Sequence, residues 1–464
     1  MIGLYTLVFI LITSITLFFW KCAKFEWLDK TCTALVVSLP FERIPSLSVG
    51  GVNVRFSQLI VLAGLWIVAV LFFKKDRQLY QLNINKINNI LIAFTLCSIP
   101  SFFVVIESRR FLTTILATYL AFGALFLLSN FSNNIPRKLK YLVLSVATTS
   151  IFGLYQFVGD LVDLPTYLTG LREMYTKVVF GIPRVQATAL EPLYYAGMLF
   201  MPILYILVMI LAGVQLNVHP KIKSRYAKLI LLTLFLSVFV LTLSKAAFAI
   251  MTGIFILLSL CSAKKLKSIF LFKQFIKLIF VSVSVLSIFT LFFPNLRITV
   301  LRIIINFYET ATFQFASSIE RLNFLQAAIE LLPRNVLIGI GSGQYGPWVK
   351  SLGLVNSPVA LEGGYLIVNN VYLEVWLEFG ILALICFLAL LLYPVYNNFK
   401  ILNSSSNWKT PNNLSRLVLV FTLIAYYLQW FTFSPIFIMP IFILMGLAAN
   451  LGQNNDTIYE SKVS

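Results

Sequence analysis

The sequence is poor in the residues that most often carry catalysis. Its single histidine, His219, lies in a basic stretch with Lys221, Lys223 and Arg225 and has no partner residues beside it. Five cysteines show no metal-ligand spacing, and no cluster of His, Cys or acidic residues shows it either, so neither a metal nor another cofactor is expected. There is no Gly-x-Ser-x-Gly elbow. The glycines of Gly339-Ile340-Gly341-Ser342-Gly343-Gln344-Tyr345-Gly346 are not followed by Lys-Ser/Thr, so they read as a tight turn and not a nucleotide loop. Acidic residues number 17 against 36 basic ones. Soluble domains, low-complexity tracts and clear internal repeats are also missing, and without a soluble basic domain no nucleic-acid partner is expected.

What is present is apolar. Hydrophobic residues make up 59% and charged residues 11%, with a mean hydropathy of +0.90. A soluble domain cannot hide that much apolar surface, and apolar runs of about 20 residues indicate helices and not a β-barrel. The expected fold is therefore an all-α, polytopic membrane protein forming one transmembrane unit over residues 1–464. The net charge of +19 points to anionic partners, among them membrane lipid head groups. Cys97, Cys261 and Cys386 read as packing residues, while Cys22 and Cys32 are left open between packing and a disulfide outside the membrane.

Twelve spans are expected. Met1–Trp20 has no basic residue ahead of it and no small-x-small site after it, so it reads as a retained span. The others lie near 56–73, 87–105, 110–129, 140–158, 192–213, 228–243, 246–262, 276–293, 371–394, 415–430 and 434–450. Orientation follows the basic loops. Lys74, Lys75, Arg77 and Lys86 mark one cytoplasmic loop, and Arg137, Lys138 and Lys140 the next. Two more carry Lys221, Lys223, Arg225 and Lys228, then Lys264, Lys265, Lys267, Lys273 and Lys277. Segments 159–191, the turn at Ser244-Lys245 and the long loop 294–370 then face outward, and 452–464 reads as a disordered cytoplasmic tail. One conflict stands at the start. Lys21, Lys24 and Lys30 favour the cytoplasm, whereas an even span count puts them outside. A short thirteenth crossing at 31–41 resolves it only with help, since 11 residues do not cross a bilayer alone.

The outward segments are basic against the positive-inside preference. They hold Arg172, Lys177, Arg184, Lys245, Arg297, Arg302, Arg321, Arg334 and Lys350. Guanidinium groups bind phosphate oxygens bidentately, and lysine binds them as a point charge. Solvated surface or head-group contact is the plain alternative for each. Lys245, after Ser244 and between two apolar runs, either meets a partner in a polar cavity or snorkels. Arg184 precedes Glu191-Pro192, where Glu191 either orients an arginine or acts as a base, or simply starts a helix. Ile319, Leu322, Leu325, Ile329 and Leu332 form an apolar stripe that leaves Arg321 off it. Glu374 and Glu378 share a helix face, either to hold cations or as interfacial glutamates.

At these residues the chain resembles the O-antigen ligase and O-antigen polymerase superfamily of bacterial envelope glycosyltransferases. The resemblance rests on Leu39-Pro40-Phe41-Glu42-Arg43 through Gly50-Gly51, Arg184 through Glu191-Pro192 to Gly197, and Leu241 through Ser244-Lys245. It continues from Arg321 through Gly339–Gly343 to Asn369-Asn370-Val371-Tyr372-Leu373 and Glu378-Phe379-Gly380. It implies a fold like the C superfamily of glycosyltransferases and a metal-independent transfer on the periplasmic face of the inner membrane. A glycan on undecaprenyl diphosphate passes to an acceptor hydroxyl; Arg184 and Arg321 are expected to hold the diphosphate. Lys245, Ser244, Asn370, Arg297 and Arg302 are expected to bind substrate, with Glu191 and Asn369 completing the catalytic set. Lys245 stands where the family often has arginine, which keeps charge and loses bidentate geometry. Asn369 stands where ligases usually place a histidine base, and asparagine takes no proton at neutral pH. Polymerase of O-antigen, capsule or exopolysaccharide repeats, working with a chain-length regulator, is the leading reading; ligation to a lipid A core is its sister, and a lipid-linked sugar flippase the reading from another class. The topology predicts that K350C reacts with an impermeant thiol reagent in intact spheroplasts; labelling only after lysis would contradict it.

Overall fold

The computed structural model describes residues 24–43, 46–49, 52–76, 86–170, 178–179, 182–215, 224–266, 316–354, 366–434 and 438–453. Among them the chain is helical apart from two short antiparallel hairpins, Ser46–Val49 (β1) with Val52–Arg55 (β2) and Val178–Val179 (β3) with Ile182–Pro183 (β4). Among the described residues seven helices are long and apolar enough to cross a membrane. They are Phe56–Phe73, Lys86–Val104, Ser108–Phe131, Ile135–Leu161, Pro192–Leu211, Ile381–Ser404 and Pro411–Thr432. Three shorter apolar helices, Tyr226–Leu241, Lys245–Cys261 and Met439–Gln453, complete the set. The protein is thus a multi-pass helical membrane protein. The expected spans at 1–20 and 276–293, and the tail beyond residue 453, lie outside the described residues.

One expected span is corrected. Residues 371–394 are not one helix: Val371–Phe379 is a separate short helix, and the crossing runs over Ile381–Ser404. The break is at Gly380, whose φ of +87° suits glycine and few other residues. A Cβ there would also collide with the carbonyl of Leu337. Ile381 N–H donates to Val336 O, so the chain before Gly339 seals the break.

Hydrogen bonds sort the helix ends into two sets. At the basic-loop end, Asn450 Nδ2 donates to Ser129 O and Asn397 Nδ2 to Gly452 O. Asn88 bonds Asn130, and Lys228 Nζ donates to Val214 O. Asp29 belongs to this end: its Oδ1 accepts from Lys138 Nζ at 2.6 Å and from Asn133 N–H at 2.7 Å. Helix Glu26–Ser38 starts here and continues as a 3₁₀ turn, Leu39–Phe41, to the opposite end, where Thr188 Oγ1 donates to Pro40 O. At 1.5 Å per residue this piece is roughly 24 Å long. The helix over the stretch 31–41 starts earlier than the short crossing anticipated there, at Glu26, and Lys138 neutralises the acid at its foot. Lys24 and Lys30 then fall at the basic-loop end.

The centre of the bundle is Met439–Gln453, whose side chains are buried almost all round, as a helix enclosed by other helices requires. Phe442 packs edge-on to Phe122 with centroids 5.4 Å apart, and Phe94 packs on Phe122 at 5.2 Å and on Phe379 at 5.5 Å. Outward-facing leucines and isoleucines such as Leu96, Leu116, Leu382 and Ile385 remain exposed, as side chains facing lipid do. Cys32 is buried and free, its Sγ donating to Leu127 O, so the open choice between packing and a disulfide with Cys22 resolves to packing. We expect K24C to react with the impermeant reagent only after lysis, the reverse of K350C; both reacting in intact spheroplasts would refute the crossing at Glu26–Phe41.

Candidate active site

The end opposite the basic loops carries buried charge. Glu42, at the close of the Leu39–Phe41 turn, is 1% exposed. A carboxylate survives there only if paired and hydrogen-bonded. Its Oε1 lies 2.5 Å from Arg55 Nη1 and 3.3 Å from the Met439 N–H. Arg55 is fixed in turn as the residue that starts helix Phe56–Phe73, with its N–H donating to Gln58 Oε1. The next residue, Arg43, places its guanidinium 3.9 Å from the centroid of the Tyr194 ring, a cation–π contact. Tyr194 is held edge-on to Phe433 at 4.1 Å, and its hydroxyl donates to Ser434 O at 3.4 Å. Under it a cavity of about 10 Å³, lined by Glu42, Tyr194, Gln429 and Trp430 among others, has room for about one water.

Arg184 reaches the same region from another segment. Val185 N–H donates to Leu241 O, and Arg184 Nε donates to Thr242 O at 2.9 Å. That contact pins Arg184 to the turn Thr242–Lys245, where Leu243 has a φ of +48° and the buried Ser244 precedes the helix beginning at Lys245. Glu191 sits at the start of helix Pro192–Leu211 and interacts favourably with Arg184. Burial pulls the Arg184 guanidinium below its ordinary range, and Glu191 pulls it back. Tyr194 lies in the field of Arg43, Glu191, Arg55 and Glu42, so the two groups of charges adjoin.

The third part is the glycine loop. Gly339, Gly341 and Gly343 all have positive φ, as the tight-turn reading requires. Glu378 fixes the loop: its Oε2 accepts from Gly343 N–H at 2.7 Å and its Oε1 from Tyr345 N–H at 3.5 Å. Gln344 Oε1 accepts from the N–H groups of Ile106 and Glu107, which ties the loop to the start of helix Ser108–Phe131. Arg110 of that helix donates to Leu366 O and acts electrostatically on both Glu374 and Glu378. Burial pushes Glu378 up to about 7, against the pull of Gly343 N–H, Arg110 and Tyr345 N–H. Glu374 is pushed well above the usual carboxylate range, by burial first and then by Glu378.

Of the residues expected from sequence, Arg184, Glu191, Ser244 and Lys245 come together at this end. Asn369 is half-buried with a φ of +59°, a conformation asparagine tolerates better than most residues. Asn370 caps helix Val371–Phe379, its Oδ1 accepting from Leu373 N–H at 3.0 Å, which gives it a structural use before any contact with substrate. Arg297 and Arg302 lie outside the described residues. Arg321 is exposed on helix Ala316–Leu331, and no contact among the described residues joins it to Arg184. The apolar stripe expected on that helix is corrected: Ile319, Leu322 and Ile329 are exposed, and Phe324, Ala327, Ala328 and Leu331 are buried. Two adjacent alanines let the rest of the loop approach closely, as where Tyr345 OH donates to Phe324 O. Sequence reasoning missed Arg43, Arg55 and Arg110 as site residues. Their signal was weak but present: each is a cation beside an apolar run on an outward segment.

Residues 229–388 match the family model described as O-antigen ligase. The matched stretch holds Ser244, Lys245, Arg321, Asn369, Asn370, Glu374 and Glu378, while Arg43, Arg184 and Glu191 precede it. Comparison with curated proteins gives no match.

Because Glu378 holds its proton more tightly when folded, up to about 7 against an ordinary 4.5, its contribution to stability is full at low pH and is lost as pH rises through about 7. E378Q keeps an acceptor for Gly343 N–H and removes that titration. The thermal midpoint of purified E378Q should therefore fall less steeply with pH across this window than that of the wild type; an unchanged slope would show that Glu378 does not titrate there.

Proposed function

We propose that the protein polymerises undecaprenyl-diphosphate-linked oligosaccharide repeats on the periplasmic face of the inner membrane. The observation that carries the reading is the convergence of Arg43, Arg184, Ser244-Lys245 and Glu191 at the end of the bundle opposite the basic loops. Arg43, Arg184 and Lys245 bring positive charge to one end of the bundle, which suits the two negative charges of a diphosphate diester. The match of residues 229–388 to O-antigen ligase supports a glycan on such a lipid as the donor. The donor already carries a good leaving group. Fixed cations in a partly desolvated setting stabilise the charge that develops on the departing diphosphate, and they do so more effectively than in water. Arg184 is suited to this: its backbone is pinned beside the Leu241–Thr242 carbonyls, and burial has already stripped part of its hydration. Lys245, at the first position of its helix, adds a point charge. Arg321, exposed on the loop helix, offers a further cation to the incoming donor.

Ligation to a lipid A core is the second reading. The family match favours it by name, and Asn369 speaks against it, because a ligase relying on imidazole at that position would have no base there. A flippase is disfavoured because, among the described residues, the cations lie toward the helix ends rather than in the middle of the spans.

R184A should abolish long-chain glycan at normal expression, since losing a charge-assisted pair to a desolvated diphosphate costs about 2–5 kcal/mol. R184K should restore only part, and R321A should also lose polymer. The two enzyme readings separate in a deletion strain. A lost polymerase leaves envelope glycan capped with a single repeat. A lost ligase leaves bare acceptor and long polymer stranded on undecaprenyl diphosphate, and that outcome would reject the polymerase.

A further inference from the structure

Glu374 is a buried carboxylate with no ion pair within salt-bridge distance among the described residues. It is 6% exposed, and its Oε2 has no hydrogen-bond partner among the described residues. Ser434 beside it is buried with its own hydroxyl unpartnered, close enough to favour the ionised carboxylate though outside hydrogen-bonding geometry. Buried polar groups are left unsatisfied at a cost, and native structures tolerate them chiefly where a ligand or a reaction uses them. The location fits such a use. Glu374 follows Asn369 by little more than one helical turn on the Val371–Phe379 helix. Ser434 also accepts, through its carbonyl, the hydroxyl of Tyr194, whose ring carries Arg43. Through Ser434 and Tyr194 the carboxylate is thus linked to the ring that carries Arg43. Around it stand Glu378 on its own helix, Arg110 from helix Ser108–Phe131, Ser434 from the segment before Met439 and Tyr194 from helix Pro192–Leu211.

We propose that Glu374 accepts the proton of the attacking acceptor hydroxyl, a role that rests on the transfer proposed above. In that step the acceptor oxygen bonds to the anomeric carbon and the bond from that carbon to the phosphate oxygen breaks. The electron pair leaves on undecaprenyl diphosphate, and the hydroxyl proton passes to the Glu374 carboxylate. Glu191, the other acidic candidate, is worse placed. It interacts with Arg184, and protonating it would remove the charge that holds that arginine. Glu374 feels Arg110 electrostatically, but its Oε2 makes no hydrogen bond among the described residues, so taking up a proton there breaks none of those contacts. Burial also keeps its proton affinity high, which makes the ionised form a better base.

The test uses the purified full chain and a deletion strain carrying each variant. E374Q keeps the shape of the side chain and removes the base. It should lower long-chain glycan about a hundredfold or more, while undecaprenyl diphosphate, used as the probe, binds within twofold of wild type and thermal unfolding is unchanged. E374D should recover a measurable part. In membranes carrying the wild type, transfer should be lost as pH falls through the Glu374 titration. E374Q forming more than half the wild-type polymer would overturn the proposal. So would E374Q losing probe affinity or folding along with product, since that makes Glu374 structural. R184A run in parallel isolates the underlying reading: if it binds the probe as well as wild type, the diphosphate assignment fails whatever E374Q does.

Discussion

One buried carboxylate organises the end of the bundle where the cations gather. Glu42 is out of water and is kept there by Arg55 and by the Met439 N–H. Those partners begin the helices Phe56–Phe73 and Met439–Gln453, so one side chain joins the top of the first described crossing to the tops of the second and the last. Removing Arg55 would leave Glu42 as a desolvated charge, which typically costs about 3–5 kcal/mol. The arrangement also fixes Arg43. With Glu42 turned inward, the next residue turns toward Tyr194, and Tyr194 is itself immobilised by Phe433 and Ser434. A cation held that way loses little side-chain freedom on meeting an anion, and preorganisation of this kind is what electrostatic stabilisation of a leaving group needs.

At the other end a second pair does the equivalent work. Lys138 is 3% exposed and meets Asp29 at 2.6 Å. That contact lets Glu26–Phe41 cross despite an acid in its first turn. Between these two ion pairs the bundle is apolar, with Phe94, Phe122, Trp430 and Phe442 packed ring against ring. The site is then assembled from segments far apart in sequence: Arg43 from the first crossing, Arg184 and Glu191 from the segment before Pro192, and Lys245 from a helix start. The glycine loop joins through Glu378 and Gln344, which lock it to two different helices.

Much of this was legible before the fold was known, because run length and basic loops reflect the bilayer directly. The spans at 56–73 and 192–213 follow the apolar runs closely. Hydropathy cannot see a dihedral, however, so the break at Gly380 was read through. The stripe Ile319-Leu322-Ile329 misled because burial on that helix is decided by how closely a surface can approach, and Ala327 and Ala328 allow a closer approach than the larger side chains. Glu26–Phe41 was cut short because Glu26, Asp29 and Lys30 depress its hydropathy and the compensating Lys138 is more than 100 residues away. Arg184, Glu191 and Lys245 stood out in the sequence because an isolated charge beside an apolar run is expensive and asks for a reason, and the fold brings them to one end of the bundle. Arg43 and Arg110 carried the same signal, but only the fold shows that they border the same region.

The central claim is that a diphosphate sits among Arg43, Arg184 and Lys245. A cryo-EM structure of the protein in lipid nanodiscs with undecaprenyl diphosphate tests it most directly. The account predicts diphosphate density between the Arg43 and Arg184 guanidinium groups, with the Lys245 ammonium beside it and Glu191 still against Arg184. Density confined to the exposed face around Arg321, or at the basic-loop end near Lys138, would contradict it.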